Sequence, residues 1–368
     1  MKLFKSLLVA PATLGLLAPM SATANEVTIN DFNPAEELAI TNSRVDGLEA
    51  RLNNFEAGSF SETTTASFSA DFYLGSEDTD DGSATANDTD DSIMAGYSFQ
   101  IDLNTSFTGE DSLDISLDAG NAGGGTAEFD GNGGGDGLAV DGVAYTFPIG
   151  GATVFVGDNS DGSSLYTTAC VYGGPSNTLD DCANVNAGFT GGDVAAGASY
   201  DFGNGFTAAT GMQTSNTGVL TEESLDSYGI NAAYTGENYG VSLTYGITES
   251  SVTEEDAATA FNAYYTPDGF PSISVGYEIV DLGGEVSTAD EKESFFVGLT
   301  WDEVGPGSAG VALGYSDVVE GTDEEYMYEA YYEYPVNDGM TITPLVFVKE
   351  ASATGVDDTT GVMVKTSF

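Results

Sequence analysis

Tyr326-Met-Tyr-Glu-Ala-Tyr-Tyr-Glu-Tyr334 sorts its side chains by parity. One face carries Tyr326, Tyr328, Ala330, Tyr332 and Tyr334, and the other carries Met327, Glu329, Tyr331 and Glu333. A period of two marks an extended strand, whose successive side chains point to opposite sides. After the turn Pro335-Val-Asn-Asp-Gly339 a second such run, Met340 to Lys349, follows at once. The pair predicts a tight hairpin with one apolar and one polar face.

The same grammar recurs upstream. Phe295, Val297, Leu299 and Trp301 lead through Val304-Gly-Pro-Gly307 to Ala309, Val311, Leu313 and Tyr315. Tyr228, Ile230, Ala232 and Tyr234 lead through Thr235-Gly-Glu-Asn238 to Tyr239, Val241, Leu243 and Tyr245. Extended over the chain, the pattern predicts about sixteen strands between residues 64 and 368. Short turns alternate with longer polar connections at 75–91, 120–138, 159–193, 214–226, 249–258, 281–292, 318–324 and 350–358. Short turns at one end and long loops at the other are the arrangement of outer-membrane barrels. Aromatic residues recur near strand ends on the apolar face (Tyr200, Phe202, Tyr234, Tyr239, Tyr265, Trp301, Tyr332 and Tyr334), as interfacial girdles do. The expectation is therefore an all-β, transmembrane antiparallel barrel over residues 62–368, with core tyrosines of a soluble β-protein as the alternative.

Two N-terminal segments read differently. Lys2 and Lys5 precede an apolar run from Leu7 to Met20 that ends in Ala22-Thr23-Ala24. That is the form of a cleavable secretory signal over residues 1–24, and a run of roughly fourteen apolar residues is too short to span a bilayer. In residues 25–61, Leu38, Thr41, Val45, Leu48, Leu52 and Phe55 keep 3-4-3-4-3 spacing, an a/d seam. This predicts a short periplasmic helical coiled coil, or one amphipathic helix, ahead of the barrel.

Composition narrows the function. The chain of 368 residues has 59 acidic and 7 basic side chains, no histidine, 48 glycines, 19 tyrosines and 20 phenylalanines. From Leu52 to Glu291 there are 39 acidic residues and no basic one, so no surface there can neutralise phosphate and nucleic-acid binding is excluded. Without histidine there is no Ser-His-Asp triad and no imidazole-ligated metal. An enzyme is not expected, nor a cofactor. The abundance of apolar and aromatic residues argues against a disordered acidic tail. Only Cys170 and Cys182 occur, with eleven residues between them, and in a secreted chain they are expected to form a disulfide closing a polar loop.

Strand parity then sorts the acids. Asp71, Asp102, Asp114, Asp118, Asp201, Glu278, Glu329 and Glu333 fall on the face opposite the apolar one, joined by Lys349 and Lys365. They are expected to point into a water-filled lumen, where an acidic wall concentrates cations. Two long connections are candidates for a constriction. Residues 159–193, stiffened by the disulfide, would bring Asp161, Asp180, Asp181 and Asp193 to the narrowing, and residues 120–138 would bring Glu128, Asp130 and Asp136. Asp130 to Asp141 faintly matches a calcium loop but lacks the acid at position 5 and the closing Glu, so no specific metal site is expected. The chain ends on an alternating strand with Val362, Val364, Thr366 and Phe368 on one face, and Phe368 is expected to serve as the assembly signal read by the barrel assembly machinery.

Several ordered motifs also carry a family resemblance. They are Asn42-Ser-Arg-Val-Asp-Gly-Leu-Glu-Ala50 leading into Phe60-Ser-Glu-Thr-Thr64, Phe107-Thr-Gly-Glu-Asp111, Asp118-Ala-Gly-Asn121, Tyr145-Thr-Phe-Pro-Ile-Gly150, and Tyr334-Pro-Val-Asn-Asp-Gly339 before Thr341-Ile-Thr-Pro344. Together they resemble cyanobacterial outer-membrane porins of the iron-uptake or OprB-like carbohydrate type, in the marine picocyanobacterial branch. The resemblance implies a general porin in a homotrimer within outer-membrane lipid, passing ions and small hydrophilic nutrients that include sugars or inorganic iron. Relatives carry arginine and lysine where this chain has Asp114, Asp118 and Asp141, so an anion or sugar preference does not carry over. The competing reading is a structural or adhesive surface protein without conductance.

Overall fold

Alternating strands become a closed wall when each pairs with its neighbour in sequence and the last returns to the first. The computed structural model describes residues 64–368, apart from 79–91, 124–127, 130, 134, 222–223, 252–253, 285–288 and 352–357. The expected signal, the helical seam with its domain boundaries, and Asp130 all lie outside the described residues.

Among the described residues there are sixteen strands: β1 (Thr64–Asp78), β2 (Met94–Thr105), β3 (Ser112–Gly120), β4 (Gly135–Ile149), β5 (Ala152–Asp158), β6 (Val194–Gly203), β7 (Phe206–Thr214) and β8 (Ser227–Thr235), then β9 (Tyr239–Ser251), β10 (Glu254–Tyr265), β11 (Ser272–Asp281), β12 (Glu291–Val304), β13 (Gly307–Val319), β14 (Met327–Asn337), β15 (Met340–Lys349) and β16 (Thr359–Ser367). Each pairs antiparallel with its sequence neighbours, and β16 closes onto β1. At the seam Leu74 lies opposite Val364 and Phe72 opposite Thr366. The Phe368 amide donates to the Ala70 carbonyl at 3.0 Å, and its ring meets Phe72 edge-on at 5.9 Å between centroids.

Register sorts the two faces. On the outside, Val297 lies opposite Leu313 and Leu299 opposite Val311, and Ile230 and Leu243 are more than half exposed. On the inside, Thr244, Asn262 and Ser274 are fully buried, which a water-filled tube would not produce by itself. Something covers that stretch of inner wall.

Several strands outrun their apolar segments. β4 begins at Gly135 and β12 ends at Val304 because ladder hydrogen bonds need only backbone and continue where side chains turn polar. In β4 the register slips: Val140 faces Leu117 and Gly142 faces Ser116, which leaves Asp141 as the extra residue of a bulge.

Candidate pore and its constriction

The covering element is residues 159–193, the connection from β5 to β6, hereafter the strap. Asn159 and Ser160 donate to the carbonyls of Asp193 and Gly192, so the strap leaves and rejoins the wall at one place. Its outgoing arm runs extended across the inner wall. The amides of Thr167, Ala169 and Val171 donate in turn to Asn231 Oδ1 on β8, Ser242 Oγ on β9 and Ser274 Oγ on β11, at 3.0, 2.9 and 3.0 Å. Asn231 Nδ2 also donates to the Thr167 carbonyl, so one side chain satisfies both backbone groups as a partner strand would.

Beyond that arm Tyr172 packs against Phe296 and Tyr331, and its hydroxyl donates to Glu329 on β14. Burial, and then the Glu329 carboxylate beside it, push the Tyr172 hydroxyl far above its ordinary value, which keeps it a donor. Cys170 and Cys182 are joined by a disulfide that closes the tip. On the return arm Asn262 Nδ2 donates to the Cys182 carbonyl, and Asn184 Nδ2 donates to Thr168 Oγ1, joining the two arms. Glu278 on β11, fully buried, then accepts from the amides of Asn186 and Ala187 and from Asn186 Nδ2. Asn186 in turn accepts from Lys292, which sits 3.0 Å from Asp317.

The second candidate connection meets the first instead of competing with it. The Glu128 carbonyl accepts from the Asn177 amide, and its carboxylate accepts from Thr178 Oγ1 at 3.0 Å. Lys349 Nζ lies 3.4 Å from Glu128 and 3.2 Å from Thr178 Oγ1. Phe129 packs on Tyr73 of β1. The inner constriction is thus a composite of both connections, which the sequence offered only as alternatives.

Because the strap lies against β7 to β14, the open space is on the other side. A chamber of about 550 Å³ is bounded by Asp71, Gln100, Asp118, Asp141 and Lys365 from the wall and by Asp180 from the strap. A second of about 360 Å³, which shares Asp141 with the first, is bounded by Asp114 and Asp161. The wall carboxylates are held by neighbouring donors: Asp102 accepts from Gln100 and Ser116, Asp114 from Ser112 and Asn104, and Asp118 from Asn132. Asp180 and Asp181 border a further polar pocket on the strap with Tyr166 and Thr168.

Parity placed all eight wall acids on the inner face, but they do not form one lining. Asp71, Asp114 and Asp118 border the chambers. Asp201 accepts from Gly203 in a short turn, and exposed Glu333 accepts from Ser308 at the same end. Glu278 and Glu329 correct the expectation of water-bathed acids: the strap covers both, and they anchor it. Lys349 is likewise tied to the composite tip. Asp193 sits where the strap re-enters β6, its carboxylate accepting from Asn216 at 3.2 Å instead of facing Asp180. Sequence reading singled out Asp141 only against relatives and not among the lumen acids, and it missed the receivers Asn231, Ser242 and Ser274. Their signal was small polar residues on inner positions of successive strands, opposite outward tyrosines and leucines.

No family model matches the chain. An uncharacterized protein of Nostoc is 24% identical over 92% of this chain and 70% of its own length. Among solved structures, a variant of the Rh. blastica porin superposes with a TM-score of 0.54 and 14% identity, covering 83% of this chain and 99% of that one. Pseudomonas putida OprB gives 0.56 and 11%, covering 84% and 95%. The chain is a closed sixteen-stranded barrel with the fold of these porins.

Proposed function

We propose that this barrel is a passive outer-membrane pore for ions and small hydrophilic solutes, that it prefers cations, and that it works as a homotrimer. The observation that carries the reading is the chamber between strap and wall. Asp71, Asp118, Asp141 and Asp180 approach it from both sides, with Lys365 alone opposing them. Carboxylates on both sides of a narrow aqueous passage raise the local concentration of cations and repel anions. The apolar outer face and its aromatic ends suit a bilayer, and a secretory signal would deliver the chain to the assembly machinery. Inorganic iron or amine-bearing nutrients fit this electrostatic bias better than phosphate does.

Planar-bilayer recording of the purified protein tests the reading. Stepwise conductance in groups of three is expected. An absence of steps refutes the pore and leaves a structural or adhesive surface protein. Sedimentation as a monomer in detergent refutes the trimer alone.

A further inference from the structure

We infer that the width of the aperture is set from the far side of the barrel. A row of inner-face glycines lets the strap sit deep, and Glu278 holds it there. The inference rests on the pore reading and names the positioning residues of that same constriction.

Gly211, Gly229 and Gly246 lie directly opposite one another on β7, β8 and β9. All three are on inner positions, between outward residues such as Tyr228, Ile230 and Tyr245. Glycine in a strand interior weakens it and marks places where another backbone comes close. Here that backbone is the strap. A methyl group at Gly229 would meet the Phe189 ring and the Tyr166 hydroxyl at 2.7 Å, and one at Gly246 would meet the Ala187 carbonyl oxygen at 2.9 Å. At Gly211, and at Gly276 on β11, it would overlap the carbonyl oxygens of Gly162 and Cys182. Both arms of the strap therefore rest on bare backbone, and the depth of the seat fixes how far its outer edge stands from Asp71 and Asp118.

Depth alone does not retain a segment, and Glu278 supplies the hold. A carboxylate only accepts, and this one faces three donors from Asn186 and Ala187. Glutamine has the same shape but sets an N–H group against those donors. The two perturbations should act in opposite directions. Filling the seat lifts the strap into the passage, and removing the hold lets it drift and widens the passage.

Three variants and a control are compared by single-channel recording, each checked for the folded barrel by heat-modifiable gel migration. For Gly246→Ala the strap must retreat by about 0.5–1 Å to reach ordinary contact distance, which should lower conductance by roughly 10–20%. Gly229→Ala should act likewise. Glu278→Gln should raise conductance by about 1.5-fold or more, with added open-channel noise, because the lost acceptor leaves buried donors unpaired. Gly339→Ala, in a short turn, should leave it unchanged.

A second readout is independent of conduction. The only cysteines are in the disulfide, so Ala187→Cys supplies a single thiol. At a site with no exposed surface that thiol should resist a charged thiosulfonate reagent, and it should become reactive at least tenfold faster when combined with Glu278→Gln. Glycine variants that raise conductance would overturn the inference. So would a Glu278→Gln protein whose conductance is unchanged and whose introduced thiol stays unreactive. If no variant conducts, wild type included, the pore reading fails, and the labelling rates still decide whether Glu278 seats the strap.

Discussion

Replacing Asp71 and Asp118 together with asparagine should weaken cation preference by a calculable amount. The chamber of about 550 Å³ is equivalent to a sphere of roughly 5 Å radius, so an ion at its centre passes about 7 Å from each bordering charge. At that range, in water at 0.1 M salt, one charge contributes about 0.6 kcal/mol unscreened and about 0.3 kcal/mol after screening. Four carboxylates and Lys365 leave three uncompensated negative charges. Potassium is then favoured over chloride by about 1.8 kcal/mol, or roughly twentyfold. Across a tenfold KCl gradient this corresponds to a reversal potential of about 50 mV in the cation direction. The double variant retains one uncompensated charge, and the same arithmetic gives a preference of roughly threefold and about 20 mV. The bore keeps its size, but the passage then holds fewer potassium ions, so conductance at that salt should fall by roughly twofold. A reversal potential of chloride sign in wild type, or one that the double substitution leaves unmoved, would refute the reasoning.

Other perturbations address the strap, a turn and the seam. Replacing Cys170 and Cys182 with alanine removes a closure worth about 3 kcal/mol in chain entropy, so excursions of the strap tip should become roughly a hundredfold more frequent. Open-channel noise reads this, and an unchanged spectrum would count against a stiffening role. Asp111, in the turn between β2 and β3, accepts from Ser106, Phe107, Thr108 and Tyr145. The Tyr145 hydrogen bond, followed by that of Thr108, holds its carboxyl well below the usual range. A depressed folded value stabilises the protein above the unfolded value of about 3.9 and is lost as pH falls below it. Melting temperature in detergent should therefore drop as pH is lowered below about 4, and Asp111→Asn should flatten that part of the profile. Phe368→Ala removes the ring contact with Phe72, a pair of a kind worth about 0.5–1.5 kcal/mol, and should reduce the fraction of heat-modifiable barrel recovered from outer membranes. Equal recovery would argue against a signalling role for the terminal ring.

The wall was legible because parity is a local property. Tyr326 to Tyr334 declares its two faces without knowledge of anything distant, and all sixteen strands follow from the same test. What parity does not report is what lies over an inward side chain. Glu278 and Asp118 read identically in sequence, yet one is sealed beneath Asn186 and Ala187 while the other borders water. The difference is made by a segment about ninety residues earlier in the chain, through contacts with no periodicity. The bulge at Asp141 was hidden for a related reason. A one-residue slip against β3 preserves the alternating look of each strand while changing which side chain turns inward. The two long connections looked like rivals because each has enough acids and glycines to fill a pore. The Glu128 bonds to Asn177 and Thr178, with Lys349 beside them, make them one object.

The direction of the chain gives the strap an awkward position in biosynthesis. Thr167, Ala169 and Val171 emerge before the residues that receive them, Asn231, Ser242 and Ser274, and Glu329 emerges later still. Cys170 and Cys182, by contrast, are both inside the strap and can find each other without any wall. The disulfide therefore has no need to wait for folding, whereas the seat cannot be complete until β14 has joined the sheet. A nascent barrel would carry its constriction as a closed, acidic and unplaced ring, which the second half of the molecule must gather in. Loss of the strap's hydrogen-bonding partners in β8 to β14 should thus yield barrels with their strands in place and an abnormally wide bore, a failure that secondary-structure content alone would not reveal.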